Sequence, residues 1–385
     1  MQKKTILFTI MNLLLFLLPT QVFAHGTDET SNSGLSIWTY GLLGAMIILL
    51  VVATLFILSS MKLTKLNVKK KEERILHQKK SKQKNIFKWT TIGAMILSIF
   101  FLIMVNTSQD EEITFTHIHG IGYTNDGEEI LVPSHDGLRI YKDGHWTKPT
   151  DSEEHDFMGF SMYKDGFYSS GHPDPNTNLK NPLGIIKSTD KGKNMEILDL
   201  YGEVDFHGMT AGYETKDIYV FNPQENSRMD GPGIYYSTDE TKTWTKSTLS
   251  GIEGQTSTLA AHPSETGIVA IGTGEGVFLS SDYGDQFEEV LDLGKVSAVT
   301  FDFNNRLLVG VQSDEIQLMR IDLNSKETTN LNFPILEGDA ISYIQQNPVD
   351  NQEIVVATVN KDIYFTHDGG VTWEESVNEG KANSH

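Results

Sequence analysis

The chain has 385 residues, 39% of them hydrophobic and 33 of them glycine, and it has no cysteine. This composition is incompatible with a disordered chain, a disulfide scaffold, an iron–sulfur cluster, a thiolate zinc site or a cysteine nucleophile. The net charge of −20 averages two opposites: residues 61–89 carry +9, and residues 108–385 carry 18 Lys and Arg against 47 Asp and Glu, a net of −29. Such an acidic region repels phosphate backbones, so nucleic acid is not an expected partner, and no nucleotide cofactor is expected.

Residues 1–24 read as a signal peptide. Lys3 and Lys4 precede an apolar stretch over 6–18, and Val22-Phe23-Ala24 offers a small-residue cleavage site. Residues 25–35 form a short tail, and 36–60 form a first transmembrane helix, with 22 uncharged residues over 37–58. Residues 61–88 form a basic loop, and 89–106 form a second transmembrane helix. A bilayer core takes about 20 apolar residues, so both segments are candidates to span it. A short loop rich in Lys and Arg belongs on the cytoplasmic side. The tail and everything from 107 onward are therefore expected outside the cell membrane.

From residue 113 the sequence carries short β-rich runs separated by Gly, Asp and Asn turns, which points to an all-β domain over 107–377. One pattern repeats within it, Ser-x-Asp-x-Gly-x-x-aromatic. Its aspartates are Asp190, Asp239, Asp282 and Asp368, with Trp244, Phe287 and Trp373 at the aromatic position of the last three copies. Met195 replaces the aromatic in the first copy, Thr241 the glycine in the second, and Thr366 the serine in the last. The aspartates are spaced by 49, 43 and 86 residues, and a degenerate copy ends at Trp146. The last interval is twice 43, so one unit near Asp322 has lost its pattern. Units of this length hold four strands, which predicts a propeller of six four-stranded blades, with seven as the alternative. Residues 378–385 read as a disordered tail.

These boxes resemble the Asp-box (BNR) repeats of sialidase-type and sortilin-like propellers. In that family the box is a hairpin turn between outer strands, so the resemblance implies a fold and a structural role rather than an activity.

Aligning the inner strands of the first three blades pairs His117-Ile118-His119-Gly120 with Asp156-Phe157-Met158-Gly159 and with Asp205-Phe206-His207-Gly208. The ends of the second strands align as Ser134-His135-Asp136, Gly171-His172-Pro173 and Phe221-Asn222-Pro223. Strand residues two apart share a face, and the start of an inner strand and the end of the second lie at one rim. His117, His119, His135, His172 and His207 are therefore expected to converge as metal ligands. Asp156, Asp205, Met158 and His155 would stand behind them. Imidazoles without thiolates suit copper or zinc.

The strings around these histidines, with Asn181-Pro182-Leu183-Gly184 and Glu203-Val204-Asp205, resemble a group of bacterial exported Asp-box proteins often labelled glycosyl hydrolases. The enzyme question stays open at this point. A sialidase needs an arginine triad, and Arg139, Arg228, Arg306 and Arg320 fall in unrelated segments. Another glycoside hydrolase would need two carboxyl groups, for which Glu203, Asp205, Asp156 and Asp174 are the candidates. A third expectation is a scaffold that grips a protein partner on one propeller face.

Overall fold

Runs of Val, Ile, Tyr and Phe punctuated by glycine turns build six antiparallel meanders, each in simple sequential strand order. The computed structural model describes residues 37–64, 66, 70–107, 113–313, 315–334 and 336–383. The chain divides into Met1–Glu111 and Glu112–His385. The signal peptide and tail expected over 1–35 lie outside the described residues.

In the first unit, α1 (Ile37–Leu63) and α2 (Lys71–Thr107) are both long and apolar enough to cross a membrane. They pack through Trp38 against Phe101 and bury Ala45 and Ala94, small side chains that let helices approach closely. The basic stretch is not mainly a loop, as the sequence reading had it: residues 71–88 form the first half of α2. No Gly or Pro interrupts 71–92, and Lys, Glu, Arg and Leu are good helix formers.

The second unit is a six-bladed propeller over blades 122–147, 156–199, 209–246, 256–292, 296–330 and 341–382. It has six blades, not seven. Each of the six apolar cores lies within this unit, and every one of them joins residues of neighbouring blades. The unit therefore carries its own folding determinants. The inner strands surround a channel of about 450 Å³ lined by residues of five blades and by His119 and Ile121 ahead of the first.

The four boxes adopt one turn. The hydroxyl of Ser188, Ser237, Ser280 or Thr366 accepts the amide four residues on, at 2.9–3.0 Å. Oδ1 of Asp190, Asp239, Asp282 or Asp368 accepts the amide four residues beyond the aspartate, at 2.9 Å each time. Thr241 takes the glycine position at φ 71°. In the fifth blade the turn at Asp322 is simpler, with Oδ1 accepting the amides of Asn324 and Ser325. The indoles tie blades together. Trp244 donates to Asp199 of the preceding blade, and Trp373 donates to the Leu331 carbonyl. Phe287 is buried in the core between the third and fourth blades.

The C-terminal segment is the main correction to the sequence reading. Residues 378–382 are not a disordered tail; Lys381–Ala382 pairs with Val377 and Asn378 as a fifth strand of the last blade. Glu379 and Gly380 take φ of 45° and 77°, the left-handed pair that a two-residue hairpin needs. This hairpin closes the ring. Phe115 N donates to the Gly380 carbonyl at 2.7 Å, and Ala382 N donates to the Ile113 carbonyl at 2.9 Å. Trp146, buried between first and last blades, donates from Nε1 to Ser376 Oγ at 2.8 Å.

Because Trp146 seals the junction between first and last blades, Trp146→Ala is expected to destabilise the propeller unit by about 3–5 kcal/mol. Ser376→Ala, which removes only the hydrogen bond, should cost about 1 kcal/mol. Urea denaturation followed by tryptophan-independent circular dichroism measures both.

Candidate metal centre

His117 and His119 are not on a regular strand as the alignment assumed; they lie in the extended segment before the inner strand Gly122–Tyr123. The segment is pinned on both sides. Phe115 is held by the C-terminal hairpin, Thr116 N donates to Ser134 Oγ, and His119 N donates to the Pro133 carbonyl. That extended geometry keeps the two rings on one side, nearly parallel (16°), with centroids 6.0 Å apart. His135 follows the second strand, Ile130–Ser134, and its ring meets both, with centroids 4.4 Å from His117 and 4.8 Å from His119.

One nitrogen from each of these three rings falls in a group whose members all lie within 4.8 Å of one another. His119 Nε2 stands 3.4 Å from His135 Nδ1. Asp156, at the start of the next blade's inner strand, places Oδ2 2.7 Å from His135 Nδ1 and Oδ1 3.5 Å from His119 Nε2. A carboxylate on one ring nitrogen fixes the tautomer and turns the other nitrogen, here Nε2, into a free lone pair. Asp156 Oδ1 is buried and makes no hydrogen bond among the described residues.

Two of the aligned glycines, Gly120 and Gly159, sit at close contacts between blades. A side chain at Gly159, whose φ is 52°, would meet the Phe206 carbonyl at 2.3 Å, and one at Gly120 would meet Phe160 Cβ at 2.8 Å. Adjacent blades thus touch backbone to side chain just beyond the histidine positions.

The other two predicted ligands do not join this triad. His172, at the end of the inner hairpin of the second blade, and His207, before the inner strand Met209–Ala211, meet instead around Asp205. His172 Nε2 lies 3.3 Å and His207 Nε2 2.8 Å from Asp205 Oδ2. The expected single cluster is therefore two neighbouring groups. They remain within electrostatic reach, since His207 contributes to lowering the His119 pKa.

Of the supporting residues, Met158 is buried two positions along from Asp156 on the same strand. His155 is not behind the rim. Its Nδ1 accepts the Asp174 amide, its Nε2 pairs with Glu153, and its ring packs on Phe157, so it organises the 153–174 loops. Glu203 accepts the Ser227 amide and hydroxyl, and Asp174 accepts the amides of Asn176 and Glu154. Those donors hold both carboxyls below their ordinary values, the opposite of what a glycosidase acid requires. The arginines form no triad: Arg139 binds Asp136, and Arg228 binds Asp199 and the carbonyls of Thr241 and Lys242. Arg306 and Arg320 face one carboxylate, Asp302, at 2.7 and 3.8 Å. Sequence reasoning missed Asn181, whose Oδ1 lies 2.6 Å from His172 Nδ1. It sits nine residues downstream in a loop, and only folding returns it to the rim.

Burial lowers the His119 pKa to about 4; the attraction of Asp156 offsets part of this, and His135, His117 and His207 lower it further. Its ring is neutral at pH 7 and ready to donate an electron pair. The unfolded chain takes up this proton near pH 6.5, the folded chain only near 4. Between those values the unfolded state binds more protons, so stability is lost as the pH drops from 6.5 toward 4. In the presence of a chelator, His119→Asn should make the melting temperature of the propeller unit less sensitive to acid between pH 6.5 and 4.5, as read by thermal melts across that range.

No family model matches this chain, and no curated protein does. Among solved structures, a GH74 enzyme from Niastella koreensis is 14% identical, with a TM-score of 0.47 over 69% of this chain and 46% of that one. YCF48 bound to a D1 peptide is 18% identical, with a TM-score of 0.41 over 69% and 85%. The extracellular domain of the putative one-component system BT4673 from B. thetaiotaomicron is 11% identical, with a TM-score of 0.45 over 70% and 34%. This chain thus spans less than half the length of the GH74 enzyme. At such identities no activity, ligand or partner carries over.

Proposed function

We propose that the protein is a membrane-anchored propeller, held outside the cytoplasm, that binds a divalent transition-metal ion, zinc or copper, at His117, His119 and His135. The observation that carries this reading is the convergence of three imidazoles with an orienting carboxylate on one rim. Neutral imidazole is a preferred donor for both ions, and three protein ligands leave a position open to solvent or a further ligand. The buried Asp156 Oδ1 supports the reading, because a carboxylate oxygen without a donor is costly unless a cation or its bound water faces it. The field of 47 carboxylates in the outer region would concentrate cations at the rim. His135 is oriented through its Nδ1 contact with Asp156, and His117 and His119 approach from the adjacent extended segment.

Zinc or copper binding is read by equilibrium dialysis and elemental analysis of untagged protein. His119→Ala is expected to weaken it at least 100-fold, and Asp156→Asn about 10–100-fold. Wild-type protein that retains no more metal than a chelated control overturns the reading.

The orientation is tested separately, with the absence of native cysteine making the chain a clean background. A single cysteine at exposed Ser325 should react with a membrane-impermeant maleimide on intact cells. One at exposed Gln83 should react only after permeabilisation.

A further inference from the structure

We propose that the rim carries a second, separate metal position, formed by His172, His207 and Asp205 one blade along from the triad. It extends the reading of the triad to its neighbour, and the two stand or fall separately in the experiment below.

The first argument is repetition. His135 follows the second strand of the first blade and places Nδ1 2.7 Å from Asp156 at the start of the next; His172 ends the second strand of the second blade and places Nε2 3.3 Å from Asp205 before the third. A His–Asp pair thus recurs between successive blades, through different ring nitrogens. It stops there, because Asn222 occupies the equivalent position in the third blade and is turned into its own loop, donating to the carbonyls of Gln224 and Gly231.

The second argument is the donor set. Asn181 Oδ1, 2.6 Å from His172 Nδ1, can only accept, so Nδ1 is the donor and Nε2 is turned toward Asp205. His172 Nε2 lies 3.3 Å and His207 Nε2 2.8 Å from Asp205 Oδ2. A divalent cation seated beside this oxygen would have both imidazoles within reach. Asp205 Oδ1, buried and without a hydrogen-bond partner, leaves the carboxylate a further lone pair for such an ion.

The donor set is two imidazole nitrogens and a carboxylate, a ligand set typical of zinc with one position left open. His207 lines the central channel, so that position faces the channel mouth. Asn181 acts as a positioning residue: it fixes the tautomer of a ligand without touching the ion. The competing arrangement is both imidazoles paired to Asp205 with no ion.

The test counts ions. Untagged full-length chain in detergent, and in parallel the propeller unit 112–385, is loaded with Zn2+ or Cu2+ alone, dialysed, and assayed by elemental analysis. Two ions per chain are expected for the wild type. One should remain in His119→Ala with His135→Ala, one in His172→Ala with His207→Ala, and none in the quadruple variant. Asn181→Leu should weaken only the second ion, by about 10–100-fold, and Asn181→Asp, which keeps the acceptor, should restore it. A wild type holding one ion that survives His172→Ala with His207→Ala overturns the second position and leaves the triad standing. A single ion lost with that pair but kept without His119 and His135 supports the second position and removes the triad. No ion in any sample overturns both. Circular dichroism on each variant confirms that the propeller is folded.

Discussion

Closure of the ring is the constraint on which the rest of the molecule depends. Six wedge-shaped sheets can pack around an axis only if the last meets the first, and in this chain the meeting uses both ends of the propeller. The hairpin turn at Glu379-Gly380 returns the chain so that Gly380 and Ala382 exchange hydrogen bonds with Phe115 and Ile113. Trp146 fills the space between the same two blades. A ring so closed leaves its sheet edges short and protected.

The same closure positions the rim. The extended segment tied down by the C-terminal hairpin continues directly into His117 and His119, and the carbonyl of Pro133 holds its far end beside His135. The triad is therefore a product of the seam between the first and last blades, while Asp156 is brought in by the contact of first with second. Backbone tethers on both sides fix the imidazoles against one another, so the cost of ordering them is met in folding rather than at the moment of binding.

Electrostatics on this rim are organised by pairs. The fold buries His119 deeply enough to keep it neutral and sets a carboxylate against each of His135 and His172. Carboxylates elsewhere on the same face, Glu203 and Asp174 among them, are satisfied by loop amides. That difference separates carboxylates that hold loops in shape from carboxylates that face the rim imidazoles. Composition alone does not make the distinction in a region with 47 acidic residues.

Much of the architecture was written into the residues because it rests on local rules. The Ser-x-Asp boxes close turns through contacts within four residues, their spacing counts blades, and uncharged apolar runs define candidate membrane helices. The three rim segments align in the sequence, yet His117 and Asp205 lie ahead of their inner strands while Asp156 begins its own. Contacts between repeats were not legible in this way. The tail after Asn378 looked polar and frayed, yet it pairs because a distant segment, Ile113–Phe115, supplies its partner. The five histidines looked like one cluster, and the divergence of neighbouring blades divides them between Asp156 and Asp205. His155 differs from its neighbour Asp156 by a single step along the chain, which turns it to the other face and into a loop. Sequence determined the repeating unit and the chemistry each unit carries; only the closed ring decided which units share a site, because that depends on distances between chain segments that no local pattern encodes.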